Sequence, residues 1–389
     1  MASHHYRLCV GNQTDKHGTD CGDAAGDTGP QTDAPPQDDA SVQEDATPQT
    51  DVLQVDVLPQ DDAEPQTDVL PQADGPYTTA GWHNLTPGTL PPAWPPPRSH
   101  HAMSYDRARH RAVLFGGEST ATVFNDTWEW DGSVWALRDS SPAPLGPGNC
   151  SNHVMVYDAA RGVSVAFGCG VGDELWEWNG TAWSNRTPTT RPPLWPGVRT
   201  CCAAASYDTA RARTVLFGGW KSPGTYYQDT WEWDGTVWTH ATDGPTTLTS
   251  HAMTYDEVRE LTLVHGGGNG TSWRLTQMLE WSGTAWATRD PSGAPPPGRS
   301  QHTMVYEARR QLTIVFAGNT TTAALGDTWE YDGPSRTWTD RSAFTGPHVR
   351  AAHAAVFNPD RGTMLVFGGS YPGSPNPTYL NDLWEYQGP

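Results

Sequence analysis

The chain has no run of 18 apolar residues, so no segment of it is suited to cross a bilayer as a helix. Its first residues, MASHHYRLCVGNQ, lack the apolar stretch of a secretory signal as they stand. Basic side chains are scarce: 24 Lys and Arg face 44 Asp and Glu, a net charge of −20, which excludes the positive face a nucleic-acid binder needs. There is no Gly-x-Ser-x-Gly, no phosphate-binding glycine loop and no His-Glu-x-x-His, so the signatures of the serine hydrolases, P-loop enzymes and zinc peptidases are missing. No aromatic residue stands between Val10 and Pro76, and only 36% of the whole chain is hydrophobic. Part of it is therefore expected to stay unfolded.

These deficits are unevenly placed. Residues 1–75 hold 16 acidic and 2 basic side chains (−14), and the remainder holds 28 and 22 (−6). Within the first part a short unit recurs, as PQTDA from Pro30, PQDDA from Pro36 and PQTDVL from Pro48 and Pro65. Proline and like charges keep such a chain extended, which predicts a disordered acidic stalk; an acidic interaction tail or cation sink is the alternative.

What is abundant is glycine (40), proline (34) and tryptophan (19), the mixture expected of many short strands joined by turns. From residue 76 one unit recurs six times. Its first landmark is Tyr105-Asp106, Tyr157-Asp158, Tyr207-Asp208, Tyr255-Asp256, Tyr306-Glu307 and Phe357-Asn358, at steps of 52, 50, 48, 51 and 51. An arginine follows three residues later, at 109, 161, 211, 259, 310 and 361. Then come an apolar run ending in glycine (VLFGG in the first unit), a loop of varied length, a segment such as DTWEWDG (126–132), and a Trp at 135, 183, 238, 286 or 338.

Each unit reads as four strands, a to d. The Asp can cap the a–b turn, the glycines end strand b, and Trp128 and Trp130 share one face of strand c. A Gly-Ser or Gly-Thr turn then sets Trp130 across from Trp135. The sixth unit stops at Gln387-Gly388-Pro389 without a strand d. Its missing piece is at the other end, where Gly81-Trp82-His83-Asn84-Leu85-Thr86-Pro87 matches Ala182-Trp183-Ser184-Asn185-Arg186-Thr187-Pro188. The first strand should complete the last blade and close the ring.

The Tyr-Asp, Gly-Gly and Trp pattern, with its period near 50, resembles kelch repeats over 76–389. The resemblance implies an all-β, six-bladed kelch-type β-propeller closed by an N-terminal strand and preceded by the stalk. Departures are Leu279 for the first Trp of blade four, Cys169 for a glycine of blade two and Ala317 for one of blade five. The resemblance says little about function, because kelch propellers include binding modules, scaffolds and a few enzymes.

The d–a and b–c loops share one face of such a disc, and loops on a rigid frame are where binding usually resides. Candidate ligand-binding residues there are Trp94, Trp195, Arg98, Arg199, Arg299 and Arg350 in the d–a loops and Trp220, Trp273 and Tyr371 in the b–c loops. Tyr226, Tyr227 and Tyr379 accompany them. Aromatic and guanidinium groups around a rim could hold a glycan or an acidic peptide; arginines that tie down their own loops are the plainer reading. Five histidines (His101, His153, His251, His302, His353) share one repeat position, where packing between blades competes with a metal ring. Glu129, Glu177, Glu232, Glu280, Glu330 and Glu385 recur in all six units, as a structural hydrogen-bond partner would. Cys150 and Cys169 are placed to pair, and six cysteines in all suit an oxidising compartment, with a soft-metal cluster including Cys201 and Cys202 as the alternative.

These features point to a monomeric, non-catalytic binding module outside the cytoplasm, at or beyond the cell surface, with a protein or glycan ligand and no cofactor. The alternative is a carbohydrate-active enzyme, a sugar mutarotase or, less well matched, a copper-radical oxidase.

Overall fold

Six antiparallel four-stranded sheets follow one another along the chain. They belong to a computed structural model that describes residues 77–140, 146–169, 174–190, 192, 202–221, 224–272, 275–372 and 377–389. The acidic stalk lies outside the described residues. Blade one consists of strand a (Ala102–Asp106), b (Arg111–Phe115), c (Thr127–Trp130) and d (Trp135–Asp139), and blades two to five repeat this order. The a strands neighbour one another round the ring and line its axis. Blade six is made of Ala354–Asn358, Thr363–Phe367 and Leu383–Gln387, with Gly81–Asn84 as its fourth strand. Gly81 pairs with Gln387 and Trp82 with Tyr386. The chain is an all-β, six-bladed propeller closed from its N-terminal side.

The repeated residues explain the blade. Strand b is buried on both faces, so it is a continuous apolar run (Ala112, Val113, Leu114 and Phe115, all fully buried) rather than an alternating one. Trp130 faces Trp135, Trp178 faces Trp183, Trp233 faces Trp238 and Trp281 faces Trp286 across the c–d pairs. At the a–b turn Asp106 accepts from the backbone N–H groups of Ala108 and Arg109 and from Arg109 Nε at 2.7 Å. Arg109 also reaches Glu129 at 2.7 Å, and the same Arg–acid–Glu set stands in blades two to five. In blade six Asn358 carries no charge, and Arg361 turns both Nε and Nη2 onto Glu385. The recurrent glutamates therefore serve the arginine series.

The same glutamates sew neighbouring blades together. Trp178 Nε1 donates to Glu129 of the blade before it, Trp281 Nε1 to Glu232, and Tyr386 OH to Glu330. Glu129, Glu232 and Glu330 thus each meet a guanidinium and a donor from the next blade, as buried charge requires.

Candidate functional site

The d–a and b–c loops meet on one face, around the mouth of the axial channel. Arg98 is fully buried there. Its Nη1 donates to Gly116 O at 2.8 Å and Asp126 Oδ1 at 2.6 Å, Nη2 to Asp126 Oδ2 at 2.7 Å, and Nε to Pro96 O. Arg299 makes the same bonds to Ala317 O, Asp327 and Pro297 O, and Arg350 to Gly368 O, Asp382 and His348 O. These three arginines are loop clamps. Their donors are spent inside the blade, which corrects the expectation that they offer a ligand-binding rim. Trp94 is likewise buried, donates Nε1 to Asn381 O at 2.7 Å and packs edge-on to Trp130, so it belongs to the core. Arg199, Trp195 and Trp273 lie outside the described residues.

In blade four both the clamp arginine and its acid are missing. Leu248 stands at that position in blade four, and Gln277 replaces the aspartate. In blade two the position is Cys150, which is disulfide-bonded to Cys169 at the end of strand b. A covalent link thus takes the place of the ion pair; closing a loop of this length contributes roughly 3 kcal/mol.

Arg299→Ala is therefore expected to lower stability by about 3 kcal/mol, the lower end for breaking a buried pair because Asp327 keeps some solvent contact. Denaturant unfolding measures this, and an unchanged midpoint would contradict the clamp.

The loops themselves supply what the arginines do not. In blades three and six, which lie opposite each other in the ring, the b–c connection rises as an extra hairpin: Trp220–Lys221 with Thr225–Tyr226, and Ser370–Tyr371 with Thr378–Tyr379. Trp220, Tyr226, Tyr371 and Tyr379 are all half-buried, and Tyr371 stacks on His348 with ring centroids 4.2 Å apart. Between the hairpins is the channel mouth. His100, Asn152, Cys202, Ser250, Gln301 and Ala352, one from each blade, all adopt a left-handed backbone with φ from 52° to 78°. The backbone N–H of His100 donates to Ala352 O, Asn152 to His100 O, Ser250 to Cys202 O, Gln301 to Ser250 O and Ala352 to Gln301 O, forming a collar of peptide bonds. A cavity of about 160 Å³ sits inside it. Gln301 Nε2 lies 3.1 Å from His100 Nε2, and Asn319 Nδ2 donates to Gln301 Oε1. Sequence reasoning missed this collar, although one varied residue immediately before the histidine position of every unit was a usable signal.

Residues 250–388 match the family model of the KLHDC2/KLHL20/DRC7 Kelch-repeats domain. The last three blades are thus similar to kelch repeats. No curated protein matches the chain. Kelch propellers mediate protein interactions, and the ring offers two candidate contact surfaces, the loop face and the opposite face.

Deeper in the channel, Met103, Met155, Met253 and Met304 line the wall, with Ala205 and Ala355 in blades three and six. At the far opening Arg107 of blade one and Glu257 of blade four, again opposite blades, form an ion pair across the axis. The histidine series packs between blades. His101 is edge-on to Phe367, His153 to Phe115, His251 to Phe217 and His353 to Phe316, each against the preceding blade. In blade four His265 replaces that Phe and meets His302, with Nδ1 3.3 Å from Nε2. Desolvation holds all six imidazoles below their usual pKa, to about 3 for His153, His251 and His265. Among the described residues no three of these imidazoles lie together as a group that could hold one ion.

Proposed function

We propose that this kelch propeller is a non-catalytic interaction module that holds a protein segment across its loop face, between the blade-three and blade-six hairpins. The carrying observation is the pair of aromatic hairpins on opposite sides of a polar collar, on a frame whose arginines are already committed. Tyr and Trp give large contact area at small entropic cost, and the collar's Asn, Ser, Gln and His side chains supply hydrogen bonds. We place the module outside the cytoplasm: the buried Cys150–Cys169 disulfide suits an oxidising compartment. The acidic N-terminal segment would serve as the spacer that displays it.

The test is a screen of immobilised peptides and glycans, followed by substitution. Tyr371→Ala and Tyr226→Ala should each weaken a captured peptide by about 1–3 kcal/mol with little change in melting temperature. Retention of glycans in place of peptides would move the ligand class. Binding lost through Arg107→Ala, with the tyrosines indifferent, would move the site to the opposite face.

A further inference from the structure

We infer that the Cys150–Cys169 disulfide masks a soft-metal site: reduced, the two thiolates and the His153 imidazole form a buried three-ligand centre suited to monovalent copper. Among the described residues, Cys150, His153 and Cys169 are the one set of His, Cys or carboxylate groups whose donor atoms lie together, all within 4.8 Å of one another. All three are buried, at 2%, 1% and 7% exposure for Cys150, Cys169 and His153. Neither ring nitrogen of His153 has a hydrogen-bond partner, so the imidazole has a lone pair to give and nothing to surrender.

The position of the set follows from the repeat. Elsewhere the residue three before the histidine position is a clamp arginine (Arg98, Arg299, Arg350), Thr200 or Leu248, and the second glycine ends strand b; in blade two alone both are cysteine. That second glycine lies against the strand-a histidine of its own blade, as Gly117 does against His101. A cysteine there is bound to sit beside an imidazole. The surroundings, Phe115 and Trp183, exclude water and fit a trigonal, low-charge ion with two sulfurs and one nitrogen better than a hydrated one.

The exchange balances. A dithiol reductant gives two electrons and two protons to the Cys150–Cys169 bond and becomes a disulfide itself, leaving two thiols. Cu⁺ entry then releases those two protons as both sulfurs become thiolate ligands. A disulfide oxidant reverses this: it takes two electrons from the thiolate pair and two protons from solvent, becomes a dithiol, and the re-formed Cys150–Cys169 bond releases Cu⁺.

The full chain is reduced without oxygen and titrated with Cu⁺ against a chromophoric copper chelator. The reduced protein should bind one Cu⁺ more than reduced Cys150→Ser. Since Cys150→Ser also removes the covalent link, His153→Asn is the second variant: it keeps both thiols and should lose at least about tenfold in affinity for that ion. Cu⁺ should raise the melting temperature of the reduced wild type by more than that of reduced His153→Asn. Equal uptake by oxidised and reduced protein, equal uptake by Cys150→Ser, or undiminished affinity in His153→Asn would each overturn the inference.

Discussion

Lowering the pH from 7.5 to 5.5 is expected to cost this propeller on the order of 7 kcal/mol and to bring it close to cooperative unfolding. His101, His153, His251, His265, His302 and His353 are buried and neutral in the folded state, with pKa values pushed down by desolvation, to about 3 for His153, His251 and His265. Unfolded, each returns to about 6.5. Between those limits the unfolded chain binds more protons than the native one, so stability falls as the pH falls, by up to ~1.4 kcal/mol per pH unit for each histidine. Six such groups together approach the whole stability of an ordinary domain. The carboxylates act in a lower window: Glu385 is held below its usual value chiefly by Arg361, and its contribution fades only under about pH 4.5. Denaturant unfolding at half-unit pH steps measures the slope. His265→Phe, which restores the residue that blades one, two, three, five and six carry there, should reduce the slope by about one proton. A midpoint that stays flat from pH 7.5 to 5.5 would show that the imidazoles are not the acid-sensitive element.

Removing residues 1–88 is expected to prevent formation of a stable ring, whereas removing 1–75 leaves it intact. The longer deletion takes the fourth strand of blade six. Trp82 is buried against Phe316 and Tyr386 and donates Nε1 to Thr328 at 3.0 Å in blade five. Tyr77 OH donates to Glu385, and Leu85 N–H to Leu383 O. Loss of the Trp82 side chain alone is worth about 3–5 kcal/mol, and the bare edge of Leu383–Gln387 becomes a site for pairing with other chains. Thermal melts and light scattering of the two truncations compare directly; equal midpoints would refute closure by this strand.

The architecture was legible because every blade states it again. The aromatic–acid pair, the arginine three residues on and the twin glycines recur at one spacing, and the surplus Trp82 strand matches the deficit after Gln387. The candidate site was legible only in part. An arginine near a loop looks the same in sequence whether it faces solvent or an aspartate, and the aspartate of Arg299 is 28 residues away at Asp327. The signal that separates the two readings was available as a paired loss, Leu248 with Gln277. The hairpin at Trp220–Tyr226 has no alternating pattern long enough to announce two strands, and its placement opposite Ser370–Tyr379 depends on ring geometry that no local stretch encodes. The collar hides for another reason: His, Asn, Cys, Ser, Gln and Ala share no chemistry, only a backbone conformation.

The pairing of Gly81–Asn84 with Leu383–Gln387 also sets a schedule. During synthesis the strand that ends the sixth blade exists roughly 300 residues before its partner, a delay of about 15–60 s at ordinary elongation rates. Throughout that interval Trp82 has no binding slot and blade one has no neighbour on its open side. Five blades can fold as they emerge, each docking on the last, but the circle stays a crescent until the chain reaches Gln387. Slow or paused translation of the last blade would therefore lengthen the time in which two such crescents could exchange N-terminal strands.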